Sequence, residues 1–123
     1  MIYQKLQPDI QSEIGALMKS TIPNRSVEYI DNRISRYSMK MGKCEITGTE
    51  VPASEVHCHH YIPLSLGGSD RFNNLRILHE EVHRLIHTKD KKMICELIKR
   101  LQLTGTMIQK VNRFREKCRL EAV

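Results

Sequence analysis

The sequence has 123 residues, of which 40% are hydrophobic and only 5% aromatic, and this composition predicts one folded domain whose core is built from aliphatic side chains. Twenty Lys and Arg face fourteen Asp and Glu, so the net charge is +6 and the isoelectric point is near 9.3, which favours a polyanionic partner such as nucleic acid. No run approaches the ~20 apolar residues of a membrane span and no signal-peptide pattern opens the chain, so we expect a cytoplasmic protein with no membrane partner. In that compartment the four cysteines are expected to be free thiols or metal ligands rather than disulfides.

Two amphipathic helices are predicted in residues 1–43. The first covers residues 9–19 and stops before Pro23, and Ser26 is expected to cap a second helix that Gly42 ends. Their apolar stripes are formed by Ile10, Ile14, Leu17 and Met18 in the first helix, and by Val27, Ile30, Ile34, Tyr37 and Met41 in the second. Both stripes predict packing against a core.

Residues 44–89 combine strand patterns with one helix. The stretch "CEITGTE", residues 44–50, predicts a short strand that enters a Thr-Gly turn, and "SEVHCHHYI", residues 54–62, predicts a strand that Pro63 ends. The polar stretch 64–74 is typical of a loop, and "LRIL" after it predicts another short strand. Residues 79–89, "HEEVHRLIHTK", then predict a helix with acidic residues in its first turn.

The last piece, residues 90–123, predicts two basic helices. Asp90 is the expected cap of the first, and Thr106 with Gln109 forms a capping box for the second. The apolar stripes are Met93, Ile94, Leu97 and Leu101, then Met107, Val111, Phe114 and Cys118, and both Cys95 and Cys118 are expected in the core. The candidate contacts to a phosphate backbone are Lys91, Lys92, Lys99, Arg100, Lys110, Arg113 and Arg115, and for each the alternative is an ordinary solvated face.

All six histidines lie between residues 57 and 87. His83 and His87 are four apart on a predicted helix, which puts them on one face, although such a pair also occurs on helices without a metal. In a regular strand His59 could join them while His60 points away, unless the strand end twists or bulges near Pro63. Three imidazoles with an open coordination position suit a catalytic ion, and a fourth, free imidazole could take a proton from water.

These residues resemble the motif of the HNH, or ββα-metal, nucleases. The motif is carried by His59-His60, Pro63, Gly67-Gly68, Asn74-Leu75, His83 and His87. The three-histidine version is similar to the DNase domains of colicins, and residues 25–120 resemble the C-terminal end of bacterial group II intron-encoded proteins. The resemblance implies an α+β fold, with a small ββα-metal core in residues 44–89 flanked by helices in residues 1–43 and 90–123, all in one compact domain.

The same resemblance implies a DNA endonuclease whose products carry 5′-phosphate and 3′-hydroxyl ends. His59, His83 and His87 fall on the positions of metal ligands, and His60 falls on the general base. Asn74 is expected to orient that base or to tie down the loop. The cofactor would be one divalent ion; imidazole suits Zn, Ni, Co or Mn better than Mg, and the identity is left open among Mg, Mn, Zn and Ni. In an intron-encoded protein the activity would nick one target strand, and intron RNA would be a further partner.

The sequence departs from these families at two points. Many HNH proteins hold a structural zinc with two Cys-x2-Cys pairs, but the corresponding positions here are Cys44, Thr47, His79 and Val82, so we expect no such zinc. His57 and Cys58 could complete a site with Cys44, although a small buried thiol is the simpler interpretation of Cys58. The sequence contains neither the reverse transcriptase nor the maturase region of group II intron-encoded proteins, so a fragment of a larger protein and a free-standing nuclease both stay open. The alternatives to an endonuclease are an inactive nucleic-acid-binding module or remnant of an intron-encoded protein, and a zinc-stabilised structural domain.

Overall fold

A computed structural model describes residues 9–20 and 22–123. Five α-helices and one two-stranded sheet follow in the order α1 (Ile10–Lys19), α2 (Val27–Met39), β1 (Val56–His60), β2 (Leu75–His79), α3 (Glu80–His87), α4 (Lys91–Arg100) and α5 (Gly105–Lys117), with short 3₁₀ helices at Leu64–Leu66 and Phe72–Asn74 between the strands. The predicted α+β class is confirmed, with a β1–β2–α3 core between flanking helices. None of the helices in these residues has the length and apolarity that a membrane span requires.

Both of the first two helices have a side-chain cap at their N-terminus, and the cap predicted at Ser26 is confirmed. Asp9 accepts a hydrogen bond from the Gln11 amide, and the Ser26 hydroxyl accepts one from the Tyr29 amide at 3.0 Å. The predicted stripe of α2 is too long, because Val27 is 74% exposed and Met41 is 61% exposed. The helix ends at Met39, so Met41 lies in the turn that leads to Gly42 rather than on the buried face.

The strand predicted at residues 44–50 is wrong, since this segment forms a tight knuckle. The Cys44 carbonyl accepts the Gly48 amide at 2.9 Å, and Gly48 has φ +74°, which suits glycine. Glu45 links the knuckle to β2, because its amide donates to the Ile77 carbonyl at 2.8 Å and its carboxylate accepts the Ile77 amide at 2.7 Å. The guanidinium of Arg36 donates two hydrogen bonds to the same carboxylate, one from Nη2 at 2.7 Å and one from Nε at 3.0 Å. One carboxylate therefore ties together α2, the knuckle and the outer edge of β2.

The two strands pair antiparallel, and their alternation divides the core into two clusters. Cys58 opposes Ile77 and His60 opposes Leu75 on the face covered by α1 and α2, whereas His59 opposes Arg76 on the other face. The buried cluster under α1 and α2 contains Leu17, Tyr29, Tyr37, Cys58, Leu75 and Ile77. The cluster on the face of α3, α4 and α5 includes Leu78, Val82, Leu85, Ile86, Leu97, Val111 and Phe114. The histidines of β1 are thereby distributed between two differently packed faces.

The C-terminal helices confirm one cap and correct another. Asp90 caps α4 by accepting the Lys92 amide at 3.0 Å, as predicted. The last helix begins two residues earlier than the capping box at Thr106 and Gln109 predicts. Thr104 is its cap and accepts the Met107 amide at 3.3 Å, so Thr106 lies inside the first turn. Both threonines precede the same apolar stripe, and the stripe alone does not choose between them.

Candidate active site

Three histidines converge between β1 and α3. His59 projects from β1 toward α3, where His83 and His87 lie one turn apart, and one ring nitrogen from each lies within 4.8 Å of the others. The ring centroids of His83 and His87 are 4.5 Å apart, and His59 lies 5.4 and 5.2 Å from them. This histidine triad is the one group of three or more potential metal ligands found in residues 9–20 and 22–123.

His59 carries a polar atom that the protein leaves unsatisfied. The residue is 3% exposed, and in the described part of the chain its Nε2 is the one buried side-chain nitrogen or oxygen without a hydrogen-bond partner. An unpaired buried polar group costs about 1–3 kcal/mol. Since the ring of Phe114 packs against His59 at 5.6 Å, the imidazole is held in this position. A cation shared with His83 and His87 would satisfy the buried nitrogen, so the donor set fits a divalent ion.

The environment of the triad keeps its imidazoles neutral. Burial, reinforced by the neighbouring imidazoles, lowers the pKa of His59 to about 3 and that of His83 to about 2. Burial also lowers the pKa of His87, with a further contribution from Arg115. Neutral imidazole is the form that ligates metals. At neutral pH each of these rings therefore has one nitrogen without a proton, and that nitrogen can bind an ion.

A fourth ring, His57, belongs to the same cluster and was not assigned to it from the sequence. Its ring stacks on that of His83, with centroids 3.5 Å apart and planes 20° from parallel. Burial and the adjacent imidazoles and arginines lower the pKa of His57 to about 4. The signal was present in the alternation of β1, since residues 57 and 59 share one face of a regular strand. His57 therefore packs against the ring of His83 and does not form a separate zinc site with Cys44.

His60 occupies the other face of β1 but reaches the same hollow. The strands pair residue for residue through His60, so the bulge considered near Pro63 is not needed to bring it there. A cavity of about 270 Å³, here called the histidine cavity, is lined by His57, His59, His60, His83 and His87 together with Pro63, Leu64 and Ser65. His60 stacks on Tyr29 with centroids 5.1 Å apart, and its Nε2 lies 2.7 Å from Oδ1 of Asp70. Neither Tyr29 nor Asp70 was singled out in the sequence.

Asn74 ties down the loop between the strands. Its side-chain oxygen accepts the Ile62 amide at 2.9 Å, and its nitrogen donates to the carbonyls of Ile62 at 3.0 Å and Ser69 at 2.8 Å. These three bonds join Ile62 and Ser69 of the loop to the residue that precedes β2. Of the two roles expected for Asn74, the contacts correspond to holding the loop.

Three of the four positions that correspond to the zinc ligands of other HNH proteins lie in the core or at a helix cap. Cys44 and Val82 are buried in the same cluster, and Nδ1 of His79 caps α3 by accepting the Glu81 amide at 3.0 Å. Cys58 is a buried thiol whose pKa is raised to about 12 by burial. The prediction that Cys95 lies in the core is wrong, because its side chain is exposed on α4.

Six of the seven predicted phosphate-contacting residues are exposed, namely Lys91, Lys92, Lys99, Arg100, Lys110 and Arg113. Arg100 is paired with Glu81 at 2.9 Å. Arg115 is 3% exposed, and its guanidinium donates to the carbonyls of Leu85, Ile86, Thr88 and Glu121. Arg115 thus fastens the end of α3 to the C-terminal segment.

Comparison with known proteins points to the same segment. A family model described as HNH endonuclease matches residues 42–89, which contain β1, the loop, β2 and α3 with all six histidines. No curated protein and no solved structure matches the chain. The matched segment is therefore similar to a family of endonucleases, and the histidine triad within it could bind a metal ion.

Proposed function

We propose that this protein is a metal-dependent DNA endonuclease that hydrolyses phosphodiester bonds at the histidine cavity. One observation carries the proposal: three neutral imidazoles present nitrogens within 4.8 Å of one another, one of these rings has a buried nitrogen without a partner, and a further imidazole lines the same cavity. Phosphodiester hydrolysis needs a base that activates water and a positive charge near the developing anion. The cavity brings residues suited to both tasks together.

The proposed roles follow from where each residue lies. His59, His83 and His87 would hold one divalent ion, which when bound stabilises the developing negative charge and the leaving oxygen. His60 would take the proton from water, since its side chain is 12% exposed and lines the cavity on the face opposite His59. Asn74 would keep the loop beside the cavity in place through its three hydrogen bonds.

The choice of DNA as substrate is supported by the charge of the C-terminal helices. Residues 89–119 contain ten Lys and Arg against three Asp and Glu. Lys91, Lys92, Lys99, Lys110 and Arg113 are exposed and project from α4 and α5, the helices that pack on the α3 side of the sheet. We expect these residues to contact phosphates, so that binding weakens steeply as salt is added.

A narrower proposal concerns the biological setting. The resemblance of residues 25–120 to group II intron-encoded proteins suggests that the enzyme nicks one strand of a target site to make a primer for reverse transcription. Intron RNA would then be a further partner. This setting rests on the resemblance alone, and the nuclease proposal does not depend on it.

A plasmid-nicking assay tests the proposal. The wild-type protein is expected to convert supercoiled plasmid DNA into a cleaved form in the presence of at least one of Mg²⁺, Mn²⁺, Zn²⁺ or Ni²⁺. A chelator should abolish this cleavage. His60→Ala should lose cleavage while binding of metal and DNA persists. His79→Asn is the matched control, because asparagine can also cap α3 and residue 79 is outside the triad.

Two other outcomes would replace the proposal. Salt-sensitive DNA binding with no cleavage under any of these ions would favour an inactive binding module. Unfolding of the protein on chelation, with no cleavage by the metal-loaded form, would favour a zinc-stabilised structural domain.

A further inference from the structure

The carboxylate of Asp70 is fixed between the loop and the start of α2. Its Oδ1 lies 2.7 Å from Nε2 of His60, and its Oδ2 accepts a hydrogen bond from the Ser26 hydroxyl at 2.6 Å. The Asp70 carbonyl also accepts a hydrogen bond from the Asn32 side chain at 3.0 Å. Both oxygens of the carboxylate and its own main chain are therefore held at once.

The ring of His60 is held from a second direction. Tyr29 stacks on it with centroids 5.1 Å apart and planes 19° from parallel. Tyr29 is itself 3% exposed, and its hydroxyl donates to the Cys58 carbonyl at 2.8 Å. A hydrogen bond at one edge of the imidazole and a stacked ring against its face together restrict both side-chain torsions of His60.

The chemistry of the pair determines which nitrogen of His60 carries the hydrogen. The hydrogen bonds from Ser26 and His60 lower the pKa of Asp70, so the carboxylate is ionised at neutral pH and only accepts. Nε2 of His60 must then be the donor. In the neutral ring this leaves the lone pair on Nδ1 as the site that can take a proton.

We propose that Asp70 is a positioning residue for His60 and that α2, through Ser26, Tyr29 and Asn32, is part of the site. Asp70 holds His60 in the Nε2–H form with Nδ1 available as the base. Ser26, which caps α2, and Tyr29 and Asn32 within it lie outside residues 42–89, the segment matched by the nuclease family, so the site extends beyond that segment. The consequence for cleavage rests on the proposed function, whereas the state of the His60 ring does not.

Nuclear magnetic resonance of the metal-free protein tests the state of the ring directly. At alkaline pH, where an ordinary imidazole is neutral, ¹⁵N shifts should place the hydrogen of His60 on Nε2. This hydrogen should be protected from exchange with water and shifted far downfield, because it is bonded to a carboxylate. Asp70→Ala should abolish that signal while the amide spectrum of the rest of the protein is retained. Asp31→Asn, at an exposed aspartate of α2, should leave the signal unchanged.

Cleavage kinetics provide the second measurement. Asp70→Asn keeps the shape of the side chain but removes its charge, and we expect kcat to fall by ~100-fold or more with little change in KM or in metal affinity. Asp31→Asn should cleave at the wild-type rate. Absence of a protected Nε2 hydrogen in the wild type, its persistence in Asp70→Ala, or full activity of Asp70→Asn would each overturn the proposal. If the protein shows the expected Nε2 hydrogen of His60 but cleaves no DNA, the positioning role of Asp70 would stand and the nuclease function would be refuted.

Discussion

Replacement of Gly68 by alanine should destabilise the loop at the histidine cavity through a collision with main chain. A Cβ at residue 68 would lie 1.8 Å from the Ile62 carbonyl oxygen and 2.9 Å from the Pro63 carbonyl oxygen. Ordinary contacts of this kind begin near 3.4 Å, so the Ile62 carbonyl would have to move away by about 1.6 Å. That carbonyl accepts the Asn74 side chain at 3.0 Å, and the movement would break this bond.

The cost can be estimated from these two effects. Overpacking costs about 1–3 kcal/mol, and a buried amide hydrogen without its acceptor costs about 1–3 kcal/mol. The free energy of unfolding should therefore fall by ~2–6 kcal/mol, a large part of the ~5–15 kcal/mol that a small domain has. Urea denaturation measures the change, and single-turnover cleavage by the folded fraction should also slow, because the same loop carries Asp70.

Gly67→Ala is the matched control. Gly67 has φ +94°, and no atom lies within 4 Å of a Cβ built there, so alanine would meet backbone strain of ~1–2 kcal/mol but no collision. A Gly68→Ala protein whose free energy of unfolding lies within ~1 kcal/mol of the wild type, or is higher than that of Gly67→Ala, would contradict the predicted collision.

Three further predictions concern acid stability, the loop and the C-terminal segment. In the metal-free protein the pKa of His59 is about 3, against ~6.5 in an unfolded chain, so below about pH 6.5 the unfolded state binds more protons. The free energy of unfolding should then fall as pH falls, by up to ~1.4 kcal/mol per pH unit from His59 alone. Urea denaturation measures this change, and a free energy that stays constant from pH 7 to pH 4 would contradict the prediction. Asn74→Ala should lower the free energy of unfolding by ~2–4 kcal/mol in the same assay, because three main-chain groups of the loop lose their partner. Alanine at the exposed Asn73 should lower it by less than ~0.5 kcal/mol, and equal effects of the two substitutions would refute the role of Asn74. Arg115→Leu should lower the free energy of unfolding by ~3 kcal/mol or more, since four carbonyls lose their donor. Arg113→Ala should leave that free energy within ~0.5 kcal/mol of the wild type and reduce the salt dependence of DNA binding by about one phosphate contact. The reverse pattern would place Arg115 at the DNA surface.

Local patterns predicted the elements that hold the triad. The alternation of β1, the helical spacing of His83 and His87, and the caps at Ser26 and Asp90 all depend on residues within a few positions of one another. The knuckle at residues 44–50 could not be predicted in the same way. Its conformation depends on Glu45, which is paired with Arg36 of α2 and with the main chain of Ile77, 32 residues further along the chain.

The errors in burial have a geometric origin. Cys95 lies two positions from both Met93 and Leu97, which is about 200° around a helix, so it faces away from the stripe that packs. Sequence alone also did not reveal Asp70 as the partner of His60. The contact that fixes Asp70 comes from Ser26, 44 residues away, and a serine before one helix and an aspartate in a polar loop carry no pattern that joins them.

The central claim is that His59, His83 and His87 hold one divalent ion together, and calorimetric titration of the metal-free protein with Zn²⁺, Ni²⁺, Mn²⁺ and Mg²⁺ tests it most directly. We expect one ion per chain for at least one of these metals. Alanine at any one of the three histidines should weaken that binding by ~100-fold or more, whereas His79→Asn should bind as the wild type does. A wild-type protein that binds none of these ions, or a His83→Ala variant that binds as tightly as the wild type, would contradict the claim.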